Sequence, residues 1–289
     1  MSGTEYTAYT GAGQTGYSTN AILLRKIEYG DHDYIISFLT QSRGRVSVIA
    51  KNAKKSIRRF TGALDLFSLN HIHCVFPKKK KDALTILSQN ELEDGFGNIR
   101  YDIYKTAYAS FWVEVIYSYL EEEKAEPEFY DLLLFALNTL NTGSISKEVI
   151  HLLFQIRFMA LSGFEPDIES CGICHTFIDV IQGNKIVFDL KNGQILCMGC
   201  AKKKSSHHIN LSNGLNPKSK IQNQKLIVSK GTLKQLFWIN NSDINRVDRI
   251  RFSNSALKEG QHLLESFIPF HLGREFKSLS FLNRLRQEC

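Results

Sequence analysis

Apolar residues recur at two different periods along this chain, and the change of period divides it. Between residues 20 and 93 they come in short alternating runs, at 21–27, 34–40, 45–51, 66–76 and 83–92. Turn signals separate the runs: Tyr29-Gly30-Asp31, Ser42-Arg43-Gly44, and Pro77 with the lysines after it. Five short strands in so little chain predict a small closed barrel. The five-stranded OB-fold, which commonly binds oligonucleotides, and an SH3-like barrel both fit this pattern. From about residue 98 to 162 the period becomes helical. Tyr101, Tyr104, Tyr108, Phe111, Trp112, Val115, Ile116 and Tyr119 recur at three- and four-residue steps, which predicts a helix whose aromatic stripe is core. Pro127 opens a second helix at the favoured first position, ended by Asn141-Thr142-Gly143. A third, over 144–161, stops at Gly163 and Pro166. Further on, Ser229 is positioned to cap a helix through Phe237 and Trp238, with Trp238 expected in the core. Ser253 or Ser255 is positioned to cap another that runs to His271 and ends at Gly273. Residues 1–19 show no period and one charge, Glu5, and predict a flexible tail.

One stretch carries specific chemistry. Cys171-x-x-Cys174 is followed after twenty-two residues by Cys197-x-x-Cys200. Two such pairs at this separation form one tetrahedral thiolate site, usually for zinc. Runs at 177–181 and 185–188 read as short strands that carry the second pair back to the first, with Asn192-Gly193 as a hairpin turn. Four sulfurs leave no open position for water, so the ion is expected to be structural, one per chain. Two disulfides, or a site that has lost its metal, are the alternatives. His175 is read as a bystander. The remaining cysteines, Cys74 and Cys289, lie far apart in sequence, a usage that fits a reducing compartment and predicts a cytoplasmic protein. The chain lacks an eighteen-residue apolar run and a basic-then-apolar N-terminus, so neither a membrane span nor a signal peptide is expected.

The net charge of +7 is unevenly spread. Residues 41–64 contain no acidic residue but hold Arg43, Arg45, Lys51, Lys54, Lys55, Arg58 and Arg59, and Lys78, Lys79, Lys80 and Lys81 follow at the next hairpin. Like charges so concentrated call for a polyanion, and release of phosphate counterions supplies the free energy. These eleven residues are the predicted nucleic-acid-binding set, and DNA-binding in the reading that the resemblance below implies. Phe60 is read as core, with stacking on a base as the alternative. Residues 91–131 are the opposite, eleven acidic against three basic, and are expected to stay off a polyanion. Residues 190–242 hold nine lysines and no acid, a second candidate phosphate surface or a solvated face.

Taken in order, these features resemble the bacterial RecO family of recombination mediators over most of residues 20–286. Tyr29-Gly30-Asp31-x-Asp33 is similar to the family's Tyr-Gly-Glu-x-Asp, and Thr40, Gly44 and Ala50-Lys51 fall at its spacing. Asn52 stands where the family usually has Gly, and Asn tolerates left-handed backbone better than most residues. Lys54, Lys55, Arg58 and Arg59 resemble the family's basic loop, and Glu91 and Glu114 stand where it often has Glu. Leu161-x-Gly163-Phe164-x-Pro166 followed by Cys171-x-x-Cys174 resembles its helix-to-zinc passage, with His175 in place of the usual Gly. The run from His271 to Ser278 is similar to its closing motif.

The resemblance implies an α+β multidomain protein: tail 1–19, a five-stranded OB-fold domain 20–95, and an α-helical domain 96–289 carrying a four-cysteine zinc-finger insertion at 168–205. It implies binding of single- and double-stranded DNA, strand annealing, partnership with RecR, contact with the acidic C-terminal tail of single-stranded DNA-binding protein (SSB), and help in loading RecA. No catalytic residues are expected. The rival readings are a zinc-ribbon adaptor that binds RNA or serves transcription, and a metal-dependent nuclease. The second lacks support in the motifs: no Walker loop, no His-Glu-x-x-His, and no acidic residues within the basic regions. His207-His208 reads as surface.

Overall fold

The computed structural model describes residues 16–56, 60, 63–77, 84–206, 225–243 and 251–288. Packing divides the chain into two units, residues 1–142 with 276–289, and residues 143–275.

The first unit opens with the barrel: β1 (Gly16–Tyr29), β2 (Asp33–Thr40), β3 (Gly44–Ala50), β4 (Leu69–Val75) and β5 (Thr85–Asp94). β1 starts inside the stretch expected as tail. Its length matters, because Gly16–Ile22 pairs with β4 while Ala21–Tyr29 pairs with β2, so one strand serves two sides. A register shift between Leu23 and Arg25 bends it between those duties. A short parallel pairing of Val48 and Ile49 with Thr85 and Ile86 closes the order β1-β2-β3-β5-β4. That closure is the OB-fold, and it settles the choice between barrels that the strand pattern left open. Inside lie Ala21, Leu23, Ile36, Phe38, Val46, Val48, Ile72 and Leu87, alternate positions of their strands.

Among the described residues, this unit also holds the helices α1 (Gly97–Arg100), α2 (Ile103–Tyr119), α3 (Pro127–Thr142) and α8 (Lys277–Gln287). Asp102 caps α2 by accepting from the backbone N–H groups of Tyr104 and Lys105 at 2.8 and 3.1 Å. The aromatic stripe is buried at Tyr108, Phe111 and Trp112, but Tyr101 is 93% exposed, because it lies before the start of α2. Gly44, with φ +67°, lies where a Cβ would strike the carbonyl of Lys124, which allows the loop after α2 to sit against β3. α8 carries an amphipathic pattern, with Leu279 and Leu282 buried and Arg284 and Arg286 in its last turn. Its N-cap, Phe276, offers no side-chain bond. Glu114 of α2 substitutes, accepting from the N–H groups of Lys277 and Ser278 at 3.3 and 2.9 Å and from the Ser278 hydroxyl.

The second unit holds α4 (Lys147–Leu161), capped by Ser146, with α6 (Lys230–Asn241) and α7 (Asn254–Leu272), capped by Ser229 and Ser253. Gly273 ends α7 in the left-handed conformation. These helices accompany a sheet of order β6-β8-β7-β9, from β6 (Asp167–Cys171), β7 (Lys185–Asp189), β8 (Gln194–Leu196) and β9 (Lys225–Ser229), plus α5 (Met198–Ser206). The 185–188 run is a strand as expected. The 177–181 run is not: apart from one bridge at Phe177 it turns back on itself, the N–H groups of Val180 and Ile181 both bonding to the Phe177 carbonyl. Ile178 and Ile181 are buried while Phe177 and Val180 are exposed, a three-residue spacing that a strand cannot produce. Trp238 is 40% exposed rather than core, since the buried face of α6 runs through Leu233, Leu236 and Ile239.

Candidate nucleic-acid face and metal centre

The basic window resolves into residues with different duties. Arg43 lies with its guanidinium 4.6 Å from the Tyr17 ring centre and 6.0 Å from that of Phe76. Arg45 donates to the Leu120 carbonyl at 3.0 Å and sits over Tyr117 at 4.8 Å. Both arginines are half-buried against the fold. Lys51, Lys54 and Lys55 instead share the turn that leaves β3, and all three are exposed.

That turn is held at several points. Asn52 is left-handed, φ 55°, as its place in the motif requires, and its N–H donates to Asp33 at 2.7 Å. The Ala53 methyl is buried in the barrel core. The Lys54 N–H bonds to the His32 carbonyl at 3.1 Å. Lys54 Nζ reaches Glu28 at 2.8 Å and the Gly30 carbonyl at 3.2 Å, and the hydrogen bond from Lys54 holds the Glu28 carboxyl below its ordinary range. Lys55 Nζ donates to His32 Nε2 at 3.0 Å. The two motif fragments 29–33 and 50–55 are therefore one structural object, and Glu28, His32 and Asp33 are its anchors. Sequence reading named Asp33 as a motif residue without its role, and it missed Glu28 and His32 because a cross-strand contact leaves no local signal. Phe60 is 6% exposed within the barrel core, so base stacking is excluded and the core reading stands. Arg58, Arg59 and Lys78, Lys79, Lys80 and Lys81 lie outside the described residues, as do His207 and His208.

The four cysteines meet. Cys171 ends β6, Cys174 follows in a turn, Cys197 follows β8, and Cys200 lies in α5. Their sulfurs all lie within 4.8 Å of one another, and none is in a disulfide. Cys174 and Cys197 are 3.9 Å apart at sulfur. A tetrahedron of about 2.3 Å metal–sulfur bonds has edges near ~3.8 Å, so the donor set fits a thiolate-bound ion and can hold a metal. Backbone N–H groups already point at sulfur: Cys197 at Cys171, 3.3 Å, and Cys200 at Cys197, 3.4 Å. The Thr176 hydroxyl, 3.3 Å from Cys174, lowers that thiol to about 6. Cys197 pushes Cys200 up to about 12, so this group keeps its proton until a cation replaces it. His175 has φ 56°, the conformation that favours Gly here, and stands outside the donor set. Cys74 is buried in the barrel, its thiol pushed up to about 12 by burial.

An OB-fold barrel, helices and a four-cysteine knuckle define a class: an oligonucleotide-type barrel protein with a thiolate donor set that could hold a metal. The family comparisons narrow it. Residues 15–96 match the family described as Recombination protein O N terminal, and residues 100–280 match Recombination protein O C terminal. The chain belongs to the RecO family of DNA repair proteins. It is 41% identical to the DNA repair protein RecO of Desulfatibacillum aliphaticivorans over 271 residues, covering 93% of this chain and 97% of that one. It is 34% identical to that of Desulfosudis oleivorans, over 94% and 98%, and 28% identical to that of Syntrophus aciditrophicus, over 94% and 96%. Among the described residues no helix is long and apolar enough to cross a membrane.

Proposed function

We propose that this chain is a non-enzymatic recombination mediator of the cytoplasm. It binds single- and double-stranded DNA, anneals complementary strands, and with RecR helps load RecA onto DNA coated by SSB, whose acidic tail it contacts. The carrying observation is the pinned turn that presents Lys51, Lys54 and Lys55 from the rim of an OB-fold barrel in a chain of this family. Ammonium groups on a fixed turn neutralise phosphate without the entropy cost of ordering a loop, and neutralisation removes the repulsion that slows pairing of two strands. Arg58, Arg59 and the lysines at 78–81 belong to the proposed DNA-binding set by their charge. Arg43 and Arg45 contribute long-range field while their guanidinium groups serve the fold. Zinc in the Cys171, Cys174, Cys197 and Cys200 site would supply a structural clamp and no reaction step.

The test is annealing of complementary oligonucleotides without nucleotide, across a salt series, together with single-strand affinity. Exchange of Lys51, Lys54 and Lys55 for Glu should weaken binding and reduce the salt slope by about 2, at roughly 0.7 per phosphate contact on single strands. An unchanged affinity and slope would remove this turn from the DNA interface. Magnesium-dependent loss of DNA from the pure protein would overturn the non-enzymatic reading.

A further inference from the structure

The second unit carries a surface whose chemistry is opposite to that of the basic turn. Glu165, Asp167 and Glu169 alternate along the chain into β6, all exposed, while Pro166 and Ile168 between them are buried. Alternation in extended chain puts the three carboxylates on one side, about 7 Å apart. None of the three forms an ion pair among the described residues. They rim a cleft of about 380 Å³ between β6 and the end of α6, floored by Ile156, Ile168 and Phe237. Asn240 lines it too. Its amide N–H donates to Glu165, and its Oδ1 is buried without a hydrogen-bond partner among the described residues. The cleft therefore presents acceptors and negative charge. Against it, sharing Ile168, Glu169 and Phe237, lies a second cleft of about 350 Å³ lined by Phe177, Ile178, Asp179 and Lys234. Lys234 is paired with Asp179, which offsets its charge within that lining.

We infer that this double cleft is a docking site for a protein segment that carries a lysine or arginine beside a large apolar side chain. The cationic group enters among Glu165, Asp167 and Glu169. The apolar one enters against Phe177 and Phe237. Charge complementarity selects this occupant: a phosphate backbone or an acidic peptide would meet three carboxylates that form no ion pair among the described residues. The half-exposed Phe237 and exposed Phe177 suit the role of apolar anchor, since aromatic residues dominate binding hot spots. The site is separate in residues from the basic turn, so a mediator could hold DNA and a basic partner segment at once.

The experiment is selection of random dodecapeptides displayed on phage against the intact, zinc-loaded chain, followed by anisotropy titration of the recovered peptides. The expected result is enrichment of sequences that pair Lys or Arg with an aromatic or Leu. Their affinity should fall about tenfold or more for the Glu165→Gln, Asp167→Asn, Glu169→Gln variant and separately for Phe237→Ala. These substitutions alter exposed side chains on two different elements, so either variant alone decides if the other fails to fold. Oligonucleotide affinity measured in parallel should not fall for either. Recovery of acidic peptides, binding indifferent to both variants, or no enrichment would overturn the assignment.

Discussion

Glu114 joins two segments more than a hundred and sixty residues apart in sequence, and its removal tests whether the last helix depends on it. α8 has no side-chain cap of its own, so its first N–H groups rely on the Glu114 carboxylate. Loss of an N-cap costs about 1 kcal/mol, loss of a negative charge at a helix N-terminus about 0.3–1 kcal/mol, and loss of the Ser278 hydroxyl bond about 1 kcal/mol. Glu114→Ala should therefore destabilise the docking of α8 by about 2–3 kcal/mol. Glu114→Gln, which keeps an acceptor oxygen but not the charge, should cost about half of that. Native-state hydrogen exchange reads this directly, because the helix can open without global unfolding. Protection of the α8 amides should fall about 30- to 100-fold in the alanine variant, at about 1.4 kcal/mol per decade. The amides of β2 and β3 should hold theirs. A change under about threefold in α8 would show that Phe276, Leu279 and Leu282, all buried, hold the helix by packing alone.

Phe60→Ala should lower stability of the barrel by about 3–5 kcal/mol, as for other buried phenylalanines, and leave DNA affinity per folded molecule unchanged; the reverse pattern in urea unfolding and binding would reinstate a stacking role. Metal analysis should find one zinc per chain, and Cys171→Ser should reduce stability and abundance more than it reduces DNA affinity; well-folded protein without metal would refute the clamp. Zinc retention should fall as pH drops, because protons compete for Cys174 near its depressed pKa of about 6 and for Cys200, pushed up to about 12. At Glu259, burial alone would raise the pKa, but hydrogen bonds from Thr232 and Ser229 outweigh it and hold the group below its ordinary value. Its contribution is thus present at neutral pH and lost as pH falls through the depressed folded value. Glu259→Gln should be less stable by about 1 kcal/mol at neutral pH, with the gap closing in acid; a gap constant with pH would refute the assignment.

The local chemistry of this chain was legible residue by residue. Alternation marked the five barrel strands, Pro127, Ser229, Ser253 and Gly273 marked helix ends, and the two Cys-x-x-Cys pairs marked one donor set. Each of these depends on neighbours within a few positions, through backbone dihedrals, caps or a shared turn. Asn52 belongs here as well, since its left-handed φ follows from its own short polar side chain.

What the tertiary structure decided is which side chains have partners from afar. Arg43 and Arg45 read as phosphate ligands because sequence reports charge and not the aromatic ring or carbonyl that meets it. The 177–181 run read as a strand because two burial patterns, alternate and three-spaced, cannot be told apart in five residues. The start of α8 has no local marker because its cap comes from α2. The acidic double cleft has no motif because β6, the knuckle turn and α6 meet only in the fold. Propensity, capping and ligand spacing act along the chain and survive in one dimension. Burial and ion pairing depend on distance in space, and only the folded chain sets that.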